Sequence, residues 1–442
     1  MSTMHRTLAT ARSLAERTPE DRNRAVDFLR AISILVVVFG HWLMAAPEIV
    51  NGEVRMAGLI GQNAWAQWLT WVLQVMPVFF FVGGYANVVG WRAARRDHTP
   101  YPTWLRERLR RLILPAIPVL AFWAPVAAIA WRSGVDPDLI SIASQAALVP
   151  TWFLATYVLI VALTPLTVTL WERAGWMAIA GTAALAALVD VVSLGVGFEA
   201  AAWVNYLFVW NAVHMFGYAW ADDRIGAVRS RLALAAGGLV ALSVLVAFGP
   251  YPAAMVGLDN AAVTNSNPPK VTLIALGLFQ FGLAMALEGP MRRWLRGTRP
   301  WTAVVAINGS IMSLYLWHLT VMVAALAAGL ALGGFGFGIE AESAIWWMTR
   351  PVWLALLLTL TLPVVAVVAR FERPDRDQRP TPAGWRPVVA VIGVCIGLAM
   401  LARNGIADED GLNLIATILP FAAVMVGGVM RFPALSRRDS LR

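Results

Sequence analysis

Twelve apolar blocks, each close to the roughly 20 residues a helix needs to cross a hydrocarbon core, run the length of this 442-residue chain. They cover 27–46, 64–91, 112–131, 148–170, 176–194, 202–220, 232–249, 271–288, 301–332, 346–369, 388–402 and 413–430. Only 14% of the residues are Asp, Glu, Lys or Arg, while 59% are hydrophobic. A soluble domain carries about 25% charged residues and could not cover such a core in water. A soluble enzyme, a disordered chain and a fibrous repeat are excluded. The expected fold is an all-α polytopic membrane protein.

The basic residues are strongly sided. Of the 35, 29 fall in 1–26 and in every second inter-block segment after it (92–111, 171–175, 221–231, 289–300, 370–387 and 431–442). Four (Arg55, Arg132, Lys270 and Arg403) fall in the opposite segments, and Arg30 and Arg350 lie within blocks. The positive-inside rule then places both termini in the cytoplasm and accounts for the net charge of +9 without a nucleic-acid partner. Residues 1–26 lack the apolar core of a secretory signal and read as a cytoplasmic tail. The Pro-rich, charged stretch 370–387 reads as a cytoplasmic linker. It divides a ten-helix body, 27–369, from two additional transmembrane helices in 388–430, with a second cytoplasmic tail at 431–442. No loop is large enough to hold a catalytic domain, so the chemistry belongs in or at the membrane. The lone cysteine, Cys395, excludes an internal disulfide and a Cys-based zinc site. No His/Asp/Glu cluster stands at metal-ligand spacing, so no metal is expected.

Ionisable residues inside spans are costly and mark function by default. In the first block, Arg30 and His41 are 11 residues apart, about three turns plus 20°, and so share a face about 16 Å apart along the axis. Asp27 falls on the same stripe. An interfacial ion pair is the plain alternative for Asp27 and Arg30. A buried neutral imidazole suits a general base. His214 and His318 also fall in blocks, where an interhelical hydrogen bond competes with a chemical role. In the second block, Gly83-Gly84 allows close helix approach and Pro77 introduces a kink. Arg108 and Arg111, at i,i+3 directly before the third block, offer planar forks to a phosphorylated ligand, although juxtamembrane arginines also fix topology or bind anionic lipid.

These pieces together resemble the acyltransferase-3 family of integral membrane acyltransferases, in order along residues 23–369. Arg30 and His41 fit its R-X10-H motif and FFFVGGY (79–85) its F-F-x-L-S-G-F signature. Arg108 and Arg111 fit R-x-x-R, and SLYLWH (313–318) is similar to S-Y-x-L-Y-L-W-H. The chain departs from the family in having Gly83 for the usual Ser. TWFLATYVLIVALTP (151–165) stands where the family has W-F-L-x-x-E-E-Q-F-Y-L, without the two acids. This leaves a carboxylate role for that helix unsupported.

The resemblance implies a ten-helix core in a bacterial inner membrane. It implies O-acylation, usually O-acetylation, of a cell-envelope polysaccharide, a glycolipid or a related acceptor. The donor would be cytoplasmic acyl-CoA, usually acetyl-CoA, with no permanently bound cofactor. His41 would act as base or as acyl relay, Arg30 would hold the donor or counter the oxyanion, and Arg108 and Arg111 would take the donor phosphates. His318 and Tyr315 are further candidates, with Asp27 beside Arg30. The competing layout is a twelve-helix secondary transporter, which would show related six-helix halves; none is evident.

Overall fold

The computed structural model describes residues 12–19, 22–50, 53–56, 60, 63–257, 261–334, 336–372, 380–408 and 411–430. Proline and short polar steps decide where its helices begin and end. The first, α1 (Arg24–Met44), starts at Asn23, whose side chain accepts from the Ala25 amide, and carries Asp27 in its first turn, where a carboxylate complements the helix dipole. A short hairpin, β1 (Pro47–Val50) with β2 (Glu53–Met56), follows. The block 64–91 forms α2 (Ala64–Leu73) and α3 (Met76–Arg96), broken at Gln74–Val75 just before Pro77. A proline there lacks an N–H and clashes with the carbonyl four residues back.

Other blocks depart from single spans for the same reason. The segment before the third block is largely helical: α3 runs to Arg96 and α4 covers Tyr101–Ile113. The chain then bends by 50° into α5 (Ile117–Arg132), the break falling at Leu114–Ala116 around Pro115. The block 148–170 is not one helix but parts of three, α6 (Pro137–Leu148), α7 (Thr151–Ala162) and α8 (Thr164–Ala174). Pro150 and Pro165 stand at its breaks, and α6 and α7 meet at 43°. The long block 301–332 splits at Gly309–Ser310 into α13 (Thr298–Asn308) and α14 (Ile311–Ala331). The remaining helices are α9 (Trp176–Asp190), α10 (Asn205–Ala221), α11 (Val228–Phe248), α12 (Thr272–Trp294), α15 (Ala344–Val368), α16 (Trp385–Asn404) and α17 (Leu414–Val426). Among the described residues, eight helices are long and apolar enough to cross a membrane, or ten if each bent pair is one span. The twelve expected blocks are all helical, but α10 and α17, at 17 and 13 residues, are shorter than a full span. The protein is an all-α polytopic membrane protein.

Contacts divide the chain into two units, Met1–Arg92 with Leu163–Pro363, and Ala93–Ala162 with Val364–Arg442. In the first, α10 is the buried centre. It crosses α3 so closely that a Cβ on Gly84 would overlap the His214 carbonyl and one on Gly217 the Phe81 carbonyl. The expected close approach therefore occurs, at Gly84. The second unit contains α4 to α7, α16 and α17. Within it the α16–α17 pair bonds α4 and α7: Thr151 Oγ1 donates to the Leu398 carbonyl at 3.0 Å and Arg110 Nη1 to the Val429 carbonyl at 3.0 Å.

Side-chain rotation cannot relieve an overlap with backbone. Gly84→Ala and Gly217→Ala should each destabilise the folded protein by at least the 1–3 kcal/mol typical of overpacking. Gly181, with nothing within 4 Å of a built Cβ, should accept Ala without loss. Thermal melts of the three variants in detergent check this.

Candidate active site

The stripe on α1 has two ends, and the structure equips them differently. At the N-terminal end Asp27 is buried and receives two bonds from Arg22, Nε to Oδ2 at 2.6 Å and Nη2 to Oδ1 at 3.0 Å. Arg22 precedes the span, and its pKa is raised, first by the hydrogen bond to Asp27 and against the effect of burial. Arg30 is the more distant partner of Asp27, at 3.5 Å. Its Nε donates instead to Asn308 Oδ1 at 2.7 Å, while Asn308 Nδ2 donates to the Asp27 carbonyl at 2.9 Å. The guanidinium is thus aimed by an amide at the end of α13 and stays about a third exposed.

At the other end, in the last turn of α1, His41 Nδ1 lies 2.9 Å from His318 Nε2 on α14, with the two ring planes 4° apart. The other nitrogen of His318, Nδ1, is 2.7 Å from the Tyr315 backbone carbonyl. A carbonyl only accepts, so His318 Nδ1 carries the hydrogen and, in the neutral ring, Nε2 presents a lone pair. His41 Nδ1 must then donate, and the basic lone pair of His41 is at Nε2. No described residue bonds that nitrogen, and His41 is partly exposed whereas His318 is fully buried. The arrangement fits a base whose tautomer is set by a second imidazole. Tyr315 enters through its carbonyl, and Trp42 Nε1 donates to the His318 carbonyl at 3.1 Å.

His214 behaves differently. It is buried in α10 with Nε2 3.1 Å from the Asn87 amide of α3, an interhelical hydrogen bond at the glycine crossing. The arginines of α4 divide by face. Arg106 and Arg110, at i,i+4, donate to the Pro380 and Val429 carbonyls. Arg108 and Arg111 make no hydrogen bond or ion pair among the described residues; Arg108 lies 5.5 Å from the Trp104 ring centroid and Arg111 is exposed. They belong to the second unit, and His41, Arg30 and His318 to the first.

A family model described as an acyltransferase domain, acyltransferase-3, matches residues 23–370. The chain belongs to the acyltransferase-3 family. It is therefore a membrane acyltransferase, a transferase of acyl rather than aminoacyl groups, acting on an acyl donor and an acceptor. No curated protein and no solved structure matches the chain. Membership decides against the transporter layout. The match covers α1 to α15 and leaves α16 and α17 outside.

Sequence reasoning found both ends of the α1 stripe but not Asn308. Its only signal was an amide at the Asn-Gly-Ser step inside a long apolar block. A hydrogen bond to a charged group is worth about 1.5–3 kcal/mol. If Asn308 aims Arg30 at substrate, Asn308→Ala should lower kcat/KM by about 10- to 100-fold. Steady-state transfer kinetics of the purified variant test it, with protein level and melting temperature near wild type.

Proposed function

We propose that this acyltransferase moves an acyl group, acetyl by preference, from cytoplasmic acyl-CoA to a hydroxyl of an extracytoplasmic carbohydrate, glycolipid or related acceptor. The observation that carries the reading is the His41–His318 pair, with the open nitrogen of His41 in the last turn of the first helix. The acceptor hydroxyl gives its proton to His41 Nε2 as its oxygen attacks the thioester carbonyl carbon. The C–S bond then breaks, CoA leaves as thiolate, and the proton held at Nε2 passes to sulfur. The products are an oxygen ester and free CoA.

His318 stabilises the imidazolium that forms in between, because its Nε2 lone pair accepts from His41 Nδ1. Arg30 lies about 16 Å from His41 along the helix, too far to touch the reacting carbonyl. It suits the donor instead, since an extended pantetheine arm separates thioester from phosphates by a comparable length. Arg108 and Arg111, in the second unit, are the pair we assign to the donor phosphates, since neither makes a hydrogen bond or ion pair among the described residues. The sided arginines support both termini in the cytoplasm, with the donor approaching from that side, and the family resemblance is what suggests a bacterial inner membrane.

His41→Ala should lower transfer by about 10²–10⁴-fold, the usual range for loss of a general base. Arg108→Ala and Arg111→Ala should mainly raise the KM for acetyl-CoA, because phosphate contacts are made alike in ground and transition states. Proteoliposomes given labelled acetyl-CoA and an envelope-glycan extract supply the assay. Near wild-type transfer by purified His41→Ala would overturn the reading.

A further inference from the structure

The helix that carries His41 ends at Met44, three residues beyond it. Its last carbonyls have no partner within the helix. Two of them are met from α15. Trp353 Nε1 donates to the Trp42 carbonyl at 2.9 Å, and Arg350 Nη1 donates to the Ala45 carbonyl at 2.9 Å. Donors and acceptors are both spaced by three residues, so one face of α15 meets one face of the final turn of α1. Arg350 is held in place in turn. Its Nε donates to the Trp346 carbonyl at 3.3 Å, and its guanidinium lies 4.2 Å from the centroid of the buried Trp346 ring. Trp42 continues the chain, since its indole donates to the carbonyl of His318. Three helices are thus tied together one residue from His41, and the last bond ends on the residue that sets the His41 tautomer.

We propose that Arg350 and Trp353 are positioning residues that set the register of α1 against α14 and so hold the His41–His318 hydrogen bond in place. The proposal deepens the acyl-transfer reading and rests on it for its kinetic consequences. Neither residue has an acidic partner among the described residues, and Trp353 Nε1 and Arg350 Nη1 both donate to the end of α1. Loss of either donor frees an end of α1 to shift, and a displacement of about 1 Å at a reacting group costs on the order of 10²-fold in rate.

The test uses the full-length protein in proteoliposomes, as wild type, Trp353→Phe, Arg350→Met and Arg350→Lys, with Thr359→Ala on an exposed part of α15 as control. Two readouts are taken: release of CoA thiol from acetyl-CoA, and the rate at which diethyl pyrocarbonate labels His41 and His318, followed by peptide mass spectrometry. Trp353→Phe and Arg350→Met should lower kcat by about 10- to 100-fold at unchanged KM for acetyl-CoA. They should also label His318 several-fold faster, since both its ring nitrogens are engaged while the pair is intact. Arg350→Lys, which keeps a donor, should fall between Arg350→Met and wild type. If the variants only melt earlier, with His318 as protected and kcat per folded molecule as high as in wild type, the brace is a stability element and the proposal fails. If wild type itself releases no CoA, the labelling decides alone. Faster labelling of His318 then upholds the brace while the acyl-transfer reading falls, and unchanged labelling overturns both.

Discussion

Hydrocarbon offers no hydrogen bonds, so every helix end and helix break that lies in it must be answered by another part of the chain. This constraint sorts the polar residues of the protein. Gln74, at the α2–α3 break, bonds the Met255 carbonyl, and the Trp71 and Gln74 carbonyls receive Gln280. Outside the spans, Arg106 serves the carbonyl of Pro380 and Arg110 that of Val429, while Thr151 bonds the Leu398 carbonyl within α16. Trp353 and Arg350 serve the end of α1. Among the described residues, the Nε2 of His41 and the forks of Arg108 and Arg111 take no part in this assignment, and neither do a few buried atoms such as His214 Nδ1 and Gln280 Oε1.

The same solvent explains the glycines. Apolar burial does not drive helices together in lipid, whose tails are as apolar as leucine, so association depends on close packing and on interhelical bonds. At the α3–α10 crossing both occur at once. Gly84 and Gly217 let the backbones approach, and Asn87 and His214 close a hydrogen bond beside them. The α11–α12 pair repeats the device: a Cβ on Gly282 would meet the backbone of Arg231 and Ala235, and Arg231 Nη1 donates to the Met285 carbonyl at 2.8 Å and lies 3.5 Å from Glu288 Oε2.

The stripe of Asp27, Arg30 and His41 was legible because one helix with a known period carries it all. Close approach at the second block was legible because glycine has no other common use in an apolar helix. Partnerships across the chain were not. His318 is 277 residues from His41, and nothing local to SLYLWH distinguishes a ring that bonds another imidazole from one that bonds an amide, as His214 does. The breaks at Pro115, Pro150 and Pro165 were missed for a different reason. Hydropathy averages over a window, and a proline flanked by Leu, Val and Thr hardly lowers the average. The four arginines before the third block were visible as a cluster. Only the packing of 380–430 separates the pair that binds carbonyls from the pair left open.

If the proposed reading of His41 and His318 holds, a neutral pair of imidazoles is also the economical choice of base for this place. A carboxylate orienting His41 would have to be ionised at rest in a low dielectric, where an isolated charge is costly. His318 orients the ring through dipoles alone: its Nδ1–H is set by the Tyr315 carbonyl and its Nε2 receives His41. Charge then arises only when the acceptor proton arrives, and it arises beside a lone pair already aimed at it. Stabilisation is thereby confined to the step that needs it, which is the condition for raising kcat rather than merely tightening binding. The absence of both acids from 151–165 is consistent with a site that works without a resident carboxylate. It also gives the brace on α15 its importance, since an orienting bond between two neutral rings is weaker than one to a charged group and depends more on where the helices hold its ends.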